Sequence, residues 1–126
     1  MALSSPPNHD YFVRAVALAR IIMPNMNIQV PPNLTPSIYG RYLDAGINDW
    51  GGISPVTIDH VNPEFPWPDI KSVKRVTEDR GMKFRARLPI YPEFVKGGFI
   101  TSELLRKYVS LLSDESGLVK EGYADD

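Results

Sequence analysis

The chain has 126 residues, with 14 basic and 15 acidic side chains and a formal net charge of −1. This balance offers no basic patch for nucleic acid, and no apolar run approaches the roughly 18 residues that span a bilayer. There is no cysteine, which excludes disulfides, thiolate metal sites and cysteine nucleophiles built from this chain alone.

The apolar share of 43% and charged share of 23% suit one soluble domain at most. The opening MALSSPPNHDYF lacks the basic region and apolar core of a secretory signal, so a cytoplasmic setting is expected.

Residues 10–23 read as an amphipathic helix, with Phe12, Val16, Ala19 and Met23 on one stripe. Pro24 and Asn25 stop it. Residues 27–30 form a short strand candidate, closed at once by Pro31 and Pro32. Thr35-Pro36 pairs a hydroxyl N-cap with proline at the first helical position, so a second helix is expected over 36–45. Gly46 then sits where a left-handed C-cap belongs. Residues 47–53 are the second strand. Helix, strand, helix, strand with tight connections is the pattern of a parallel sheet with crossover helices.

A third helix fits 69–80, stopped by Gly81. Residues 83–90 (KFRARLPI) alternate charged and apolar, which suggests a half-exposed or edge strand. Residues 91–98 read as a loop, and 102–112 as a last helix capped by Thr101 or Ser102. Leu104, Leu105, Tyr108, Leu111 and Leu112 make its apolar face. From Lys120 the chain is a polar, frayed tail.

The segment 48–68 (NDWGGISPVTIDHVNPEFPWP) is the most informative. Paired glycines weaken a strand interior and mark a close backbone approach. The prolines at 55, 63, 66 and 68 hold the following loop extended. In parallel sheets, ligands meet the carboxyl ends of the strands. Gln29, Asn33, Asp49, Trp50, Gly51, Gly52 and Ser54 are therefore the candidate substrate-binding residues. Asn33 either reads a ligand amide or carbonyl or serves as turn chemistry before Pro36. Trp50 either stacks on a planar ring or fills the core. The pleat decides which of Asp49 and Trp50 points inward, and the sequence leaves that open.

Asp59-His60 has a general-base reading and a loop-stabilising one. A Ser54, Asp59, His60 relay lacks the Gly-x-Ser-x-Gly elbow of a hydrolase. A lone histidine makes a poor metal site, so no metal ligand is assigned. Glu93 is either a functional acid or a solvated loop charge. Gly51-Gly52 lacks the further glycine and the lysine of a phosphate-binding loop.

Several runs together carry a resemblance: 27–36 (NIQVPPNLTP), 43–55 (LDAGINDWGGISP), 59–63 (DHVNP), 66–68 (PWP) and 87–93 (RLPIYPE). In order and spacing they resemble the 7,8-didemethyl-8-hydroxy-5-deazariboflavin (FO) synthase family, specifically the ring-closing radical S-adenosylmethionine subunit or half. The resemblance covers about residues 10–117 and only the last third of the family's length.

It implies an α/β fold, the C-terminal portion of a (β/α)8 barrel of the TIM type followed by an α/β cap. Residues 1–126 would then be one partial domain, with 10–81 as the last barrel units and 82–126 as the C-terminal extension. The family's reaction couples a tyrosine-derived intermediate to a ribityl-diaminouracil. It uses a [4Fe–4S] cluster and S-adenosylmethionine, held by a Cys-x-x-x-Cys-x-x-Cys loop.

That loop is not in this sequence, so the chain holds no cofactor of its own and is expected to be inactive alone. The expected partners are a small-molecule substrate in the parent enzyme and the missing N-terminal part of the barrel, or a second copy through self-association. The alternative is a non-catalytic ligand-binding or interaction module that reuses this piece of fold.

Overall fold

The computed structural model describes residues 8–54 and 56–123. Pro55 of the expected Ser-Pro turn and the last three residues of the polar tail lie outside them. The chain divides into two compact units, Met1–Lys83 and Phe84–Asp126.

The first unit begins with α1, His9–Ile22. Asn8 caps it, its side-chain oxygen accepting the Tyr11 N–H at 2.9 Å. Asp10 in the first turn and Arg20 in the last complement the helix dipole. Arg20 also ties the helix down: its Nε donates to Gly46 O at 2.8 Å, and its guanidinium reaches Met23 O and Pro24 O. α1 packs on α2. None of its residues is buried, and Ile21 and Ile22 are 77% and 67% exposed.

The helix expected over 36–45 starts late. A 3-10 turn at Pro32–Leu34 is followed by single turns, Ile38 N–H to Thr35 O and Arg41 N–H to Ile38 O. The α-helix proper, α2, is Gly40–Ala45. Thr35 does not cap it; the cap position is Tyr39, which makes no side-chain cap bond. The α-helix begins at Gly40 and buries Gly40, Tyr42 and Leu43, so it forms where packing supports it. Gly46 ends it at φ 117°, the left-handed cap the sequence calls for.

α3, Ile70–Asp79, is capped by Asp69, whose carboxylate accepts from the Lys71 and Ser72 N–H groups. Val73 and Thr77, one turn apart, are its buried positions. With Tyr39, Tyr42, Leu43, Ile47 and Trp50 they form the core of this unit.

Among the described residues, the two expected strands narrow to one parallel bridge, Gln29 with Asp49. Asn48 N–H donates to Ile28 O at 3.1 Å and Val30 N–H to Asp49 O at 3.2 Å. Side chains extend the pairing by one step: Asn48 Oδ1 accepts the Ile28 N–H, and Asn48 Nδ2 donates to Asn27 Oδ1. The direction is that of a strand, helix, strand crossover.

In the second unit, the edge strand expected at 83–90 does not form. Its alternation is a side-chain pattern, and a ladder needs a partner backbone. The chain here makes a single such contact, Val119 N–H to Ala86 O. The expected loop at 91–98 contains a short helix instead, α4, Pro92–Lys96, with proline at its start, where the missing N–H costs nothing.

α5 is Glu103–Leu112, capped by Ser102 through the Leu105 N–H. Its apolar face is exposed at Leu104, Leu105, Tyr108 and Leu111. An antiparallel bridge, Ser113 with Val119, closes a turn that the sequence reading did not identify. Asp114 organises it, accepting from Ser116 and Leu118 N–H and pairing with Arg85 at 2.7 Å.

Candidate functional site

The parallel bridge brings the carboxyl ends of two chain segments together, and three of the seven predicted residues meet there. Gln29 and Asp49 are bridge partners. Asp49 Oδ1 accepts the Gly51 N–H at 2.9 Å, a local side-chain bond to the backbone two residues on. Gly51 takes φ 78°, and a Cβ on it would stand 2.5 Å from Gln29 Nε2. The Gln29 side chain therefore lies directly over the Gly51 backbone, the close approach that a glycine at this position permits.

The other predicted residues go elsewhere. Gly52 is exposed, and a Cβ there would meet nothing within 4 Å. Ser54 Oγ accepts from Thr57 N–H at 3.1 Å and from Thr57 Oγ at 2.6 Å, a local turn. Trp50 is 7% exposed, and its ring meets Tyr39 edge-on at 5.5 Å. Its indole N–H donates to Thr77 Oγ1 at 3.0 Å. Both its face and its polar handle are occupied by protein, so Trp50 is a core residue and not a stacking platform.

Asn33 is fully buried. Its amide nitrogen donates to Asp59 Oδ2 at 2.8 Å and to Phe65 O at 3.1 Å. Asp59 in turn accepts the Val61 and Asn62 N–H groups and the Asn62 amide. These bonds hold the Asp59 carboxyl below the usual carboxylate range, the Asn33 amide contributing most. Burial pushes the Tyr39 and Tyr42 hydroxyls up.

Asp59 and Ser54 are thus both engaged with neighbours other than His60, which is exposed, and the hydrolase relay does not assemble. Of the two readings of Asp59, the loop-stabilising one agrees with its bonds to the Val61 and Asn62 N–H groups; its long-range bond to Asn33 was not anticipated. The local bonds had a signal: an Asp three residues before Asn62-Pro63 is a turn-forming pattern. Thr77, partner of the indole, carried no signal beyond its helical spacing from Val73.

Among the described residues, no group of three His, Asp or Glu side chains is placed to hold a metal ion. No helix of the described residues is long and apolar enough to cross a membrane.

The geometry defines a parallel bridge with a helix in the connection and a glycine at positive φ at its carboxyl end. Comparison with known proteins then gives the relatives. Over 114 residues the chain is 51% identical to 7,8-didemethyl-8-hydroxy-5-deazariboflavin synthase of Methanopyrus kandleri, a match covering 90% of this chain and 34% of that protein. It is 50% identical over 115 residues to FO synthase of Streptomyces coelicolor, covering 89% of this chain and 13% of that protein. The synthase of Methanocaldococcus jannaschii is 36% identical over 115 residues, or 91% of this chain and 31% of that protein.

No family model matches the chain, and no solved structure does. The resemblance carried by the sequence motifs is borne out: over the matched segment this chain is a homologue of the deazaflavin (FO) synthases. It spans about a third of the length of the methanogen relatives.

Proposed function

We propose that this chain supplies one wall of the substrate chamber of a deazaflavin (FO) synthase, as the last strand and helix units of its α/β barrel and the extension that follows. The supporting observation is the parallel Gln29–Asp49 bridge with Gly51 at its carboxyl end. It lies inside a segment that is half identical to a named synthase. Ligands of parallel α/β folds bind at such ends.

In this reading Gln29 and Asp49 offer amide and carboxylate groups to a polar heterocycle. Gly51 lets it approach the backbone. The setting is cytoplasmic.

The family resemblance implies an iron–sulfur cluster and S-adenosylmethionine. The donor set here does not fit that cluster, because the chain has no cysteine thiolate to ligate iron. No step through the cluster is assigned to these residues; binding and orienting the substrate is their share. The rest of the chamber is the complementary part of a synthase, the part outside the matched segment. The apolar, exposed outer face of α1, with Ile21 and Ile22, supports contact with that part.

The test is co-expression of this chain with the part of the Methanopyrus kandleri synthase that lies outside the matched segment. Co-purification in equal amounts, lost on Ile21→Glu with Ile22→Glu, is the expected result. Failure to associate, with the chain remaining a stable monomer, would refute the proposal.

A further inference from the structure

The Gln29–Asp49 bridge joins two segments, and each runs on into a loop at its carboxyl end. Asn33 lies four residues beyond Gln29, and Asp59 ten beyond Asp49. The Asn33 amide spans the gap to Asp59, 26 positions on in sequence, and to Phe65, 32 positions on. Asp59 passes the constraint on to the Val61 and Asn62 backbone. One buried amide is thus bonded to the second loop at two points, and the loop's own turn is built on the carboxylate that Asn33 holds.

We propose that Asn33 and Asp59 are positioning residues that lock together the two loops leaving the paired strand ends, so that Gln29, Asp49 and Gly51 face substrate from a fixed frame. This rests on the reading of the strand ends as a substrate wall. It revises the role of Asn33: the amide nitrogen that would read a ligand is committed to protein acceptors. A charge-assisted bond from a buried donor is among the stronger ties available to a loop. Because Asn33 has no exposed surface, the clamp cannot be replaced by water without opening the turn at Pro32–Leu34.

The experiment is hydrogen exchange, read residue by residue by NMR, on the whole chain. Three forms are compared: unaltered, Asn33→Leu and Asp59→Asn. Asn33→Leu keeps the side chain's bulk and removes the donor. Asp59→Asn sets an amide against the Asn33 amide and spares the buried side of the pair, so it remains informative where Asn33→Leu fails to fold. The expected result is exchange at Val61 and Asn62 faster by about tenfold or more in each variant, with Val73 protection and Trp50 fluorescence unchanged.

A second readout separates a clamp from a general packing role. The Asp59 carboxyl, followed by carbon-13 NMR, should titrate higher in Asn33→Leu than in the unaltered chain. Unchanged exchange at Val61 and Asn62 in Asp59→Asn, or an unmoved Asp59 titration in a folded Asn33→Leu, would overturn the proposal. Neither result bears on whether the chain associates with a synthase partner, so this inference and the functional reading fail separately.

Discussion

Thr77→Val tests the assignment of Trp50 to the core. Thr77 Oγ1 accepts from the Trp50 indole at 3.0 Å and donates to Val73 O at 2.7 Å. Thr77 and Trp50 are 4% and 7% exposed, so water does not substitute for a lost partner. Valine has nearly the shape of threonine and the same branching, so helix propensity and packing change little. What remains is a buried indole N–H without an acceptor, a loss of about 1–3 kcal/mol.

Thr77→Ser retains the acceptor and removes one methyl, at about 0.8 kcal/mol. Urea unfolding followed by tryptophan fluorescence and, separately, by far-ultraviolet circular dichroism measures both variants. The account predicts that Thr77→Val is the less stable of the two. If Thr77→Val matches the unaltered chain while Thr77→Ser is weaker, the indole is not held by Thr77, and Trp50 returns as a candidate ligand platform.

Gly46→Ala places a Cβ at φ 117° and 2.6 Å from Arg20 Cγ, so destabilisation of about 1–2 kcal/mol or more is expected in the same unfolding assay. Gly51→Ala meets the flexible end of Gln29 instead; a cost of about 1 kcal/mol from the positive φ is expected, and NMR should show the Gln29 side-chain amide displaced. Acid should destabilise the chain. The Asp59, Asp69 and Asp114 carboxyls all lie below the ordinary value of 3.8, so each favours the folded state above that pH and loses its contribution as pH falls through its own lower value. Circular dichroism from pH 7 downward should be flat to about pH 4 and decline below it. Light scattering of the chain alone should show self-association, because α1 and α5 both expose apolar faces; a stable monomer at high concentration would contradict that.

Much of the helical structure was legible because its signals are local. Asp69 and Ser102 cap α3 and α5 where side-chain chemistry requires, and Gly46 ends α2. The strands were overread, since a strand is defined by its neighbour: among the described residues, 27–30 and 47–53 pair only with each other, and 83–90 makes one backbone contact, Ala86 O with Val119 N–H. At the candidate site, Gln29, Asp49 and Gly51 converge as the strand-end argument expects. Trp50 could not be placed from sequence, because neighbours in an extended segment point to opposite faces and only the core shows which face is inward. The Asn33–Asp59 bond joins residues 26 apart, and no local pattern announces it.

The central claim, that this chain forms a working wall of a deazaflavin synthase, is tested most directly by a chimera. The matched segment of the Methanopyrus kandleri synthase is replaced by the corresponding residues of this chain, and formation of the fluorescent deazaflavin product is measured with the enzyme's own substrates. The account predicts product from the chimera and its loss on Asp49→Ala in a protein that still folds. A folded chimera, complete in its cluster, that forms no product would contradict it.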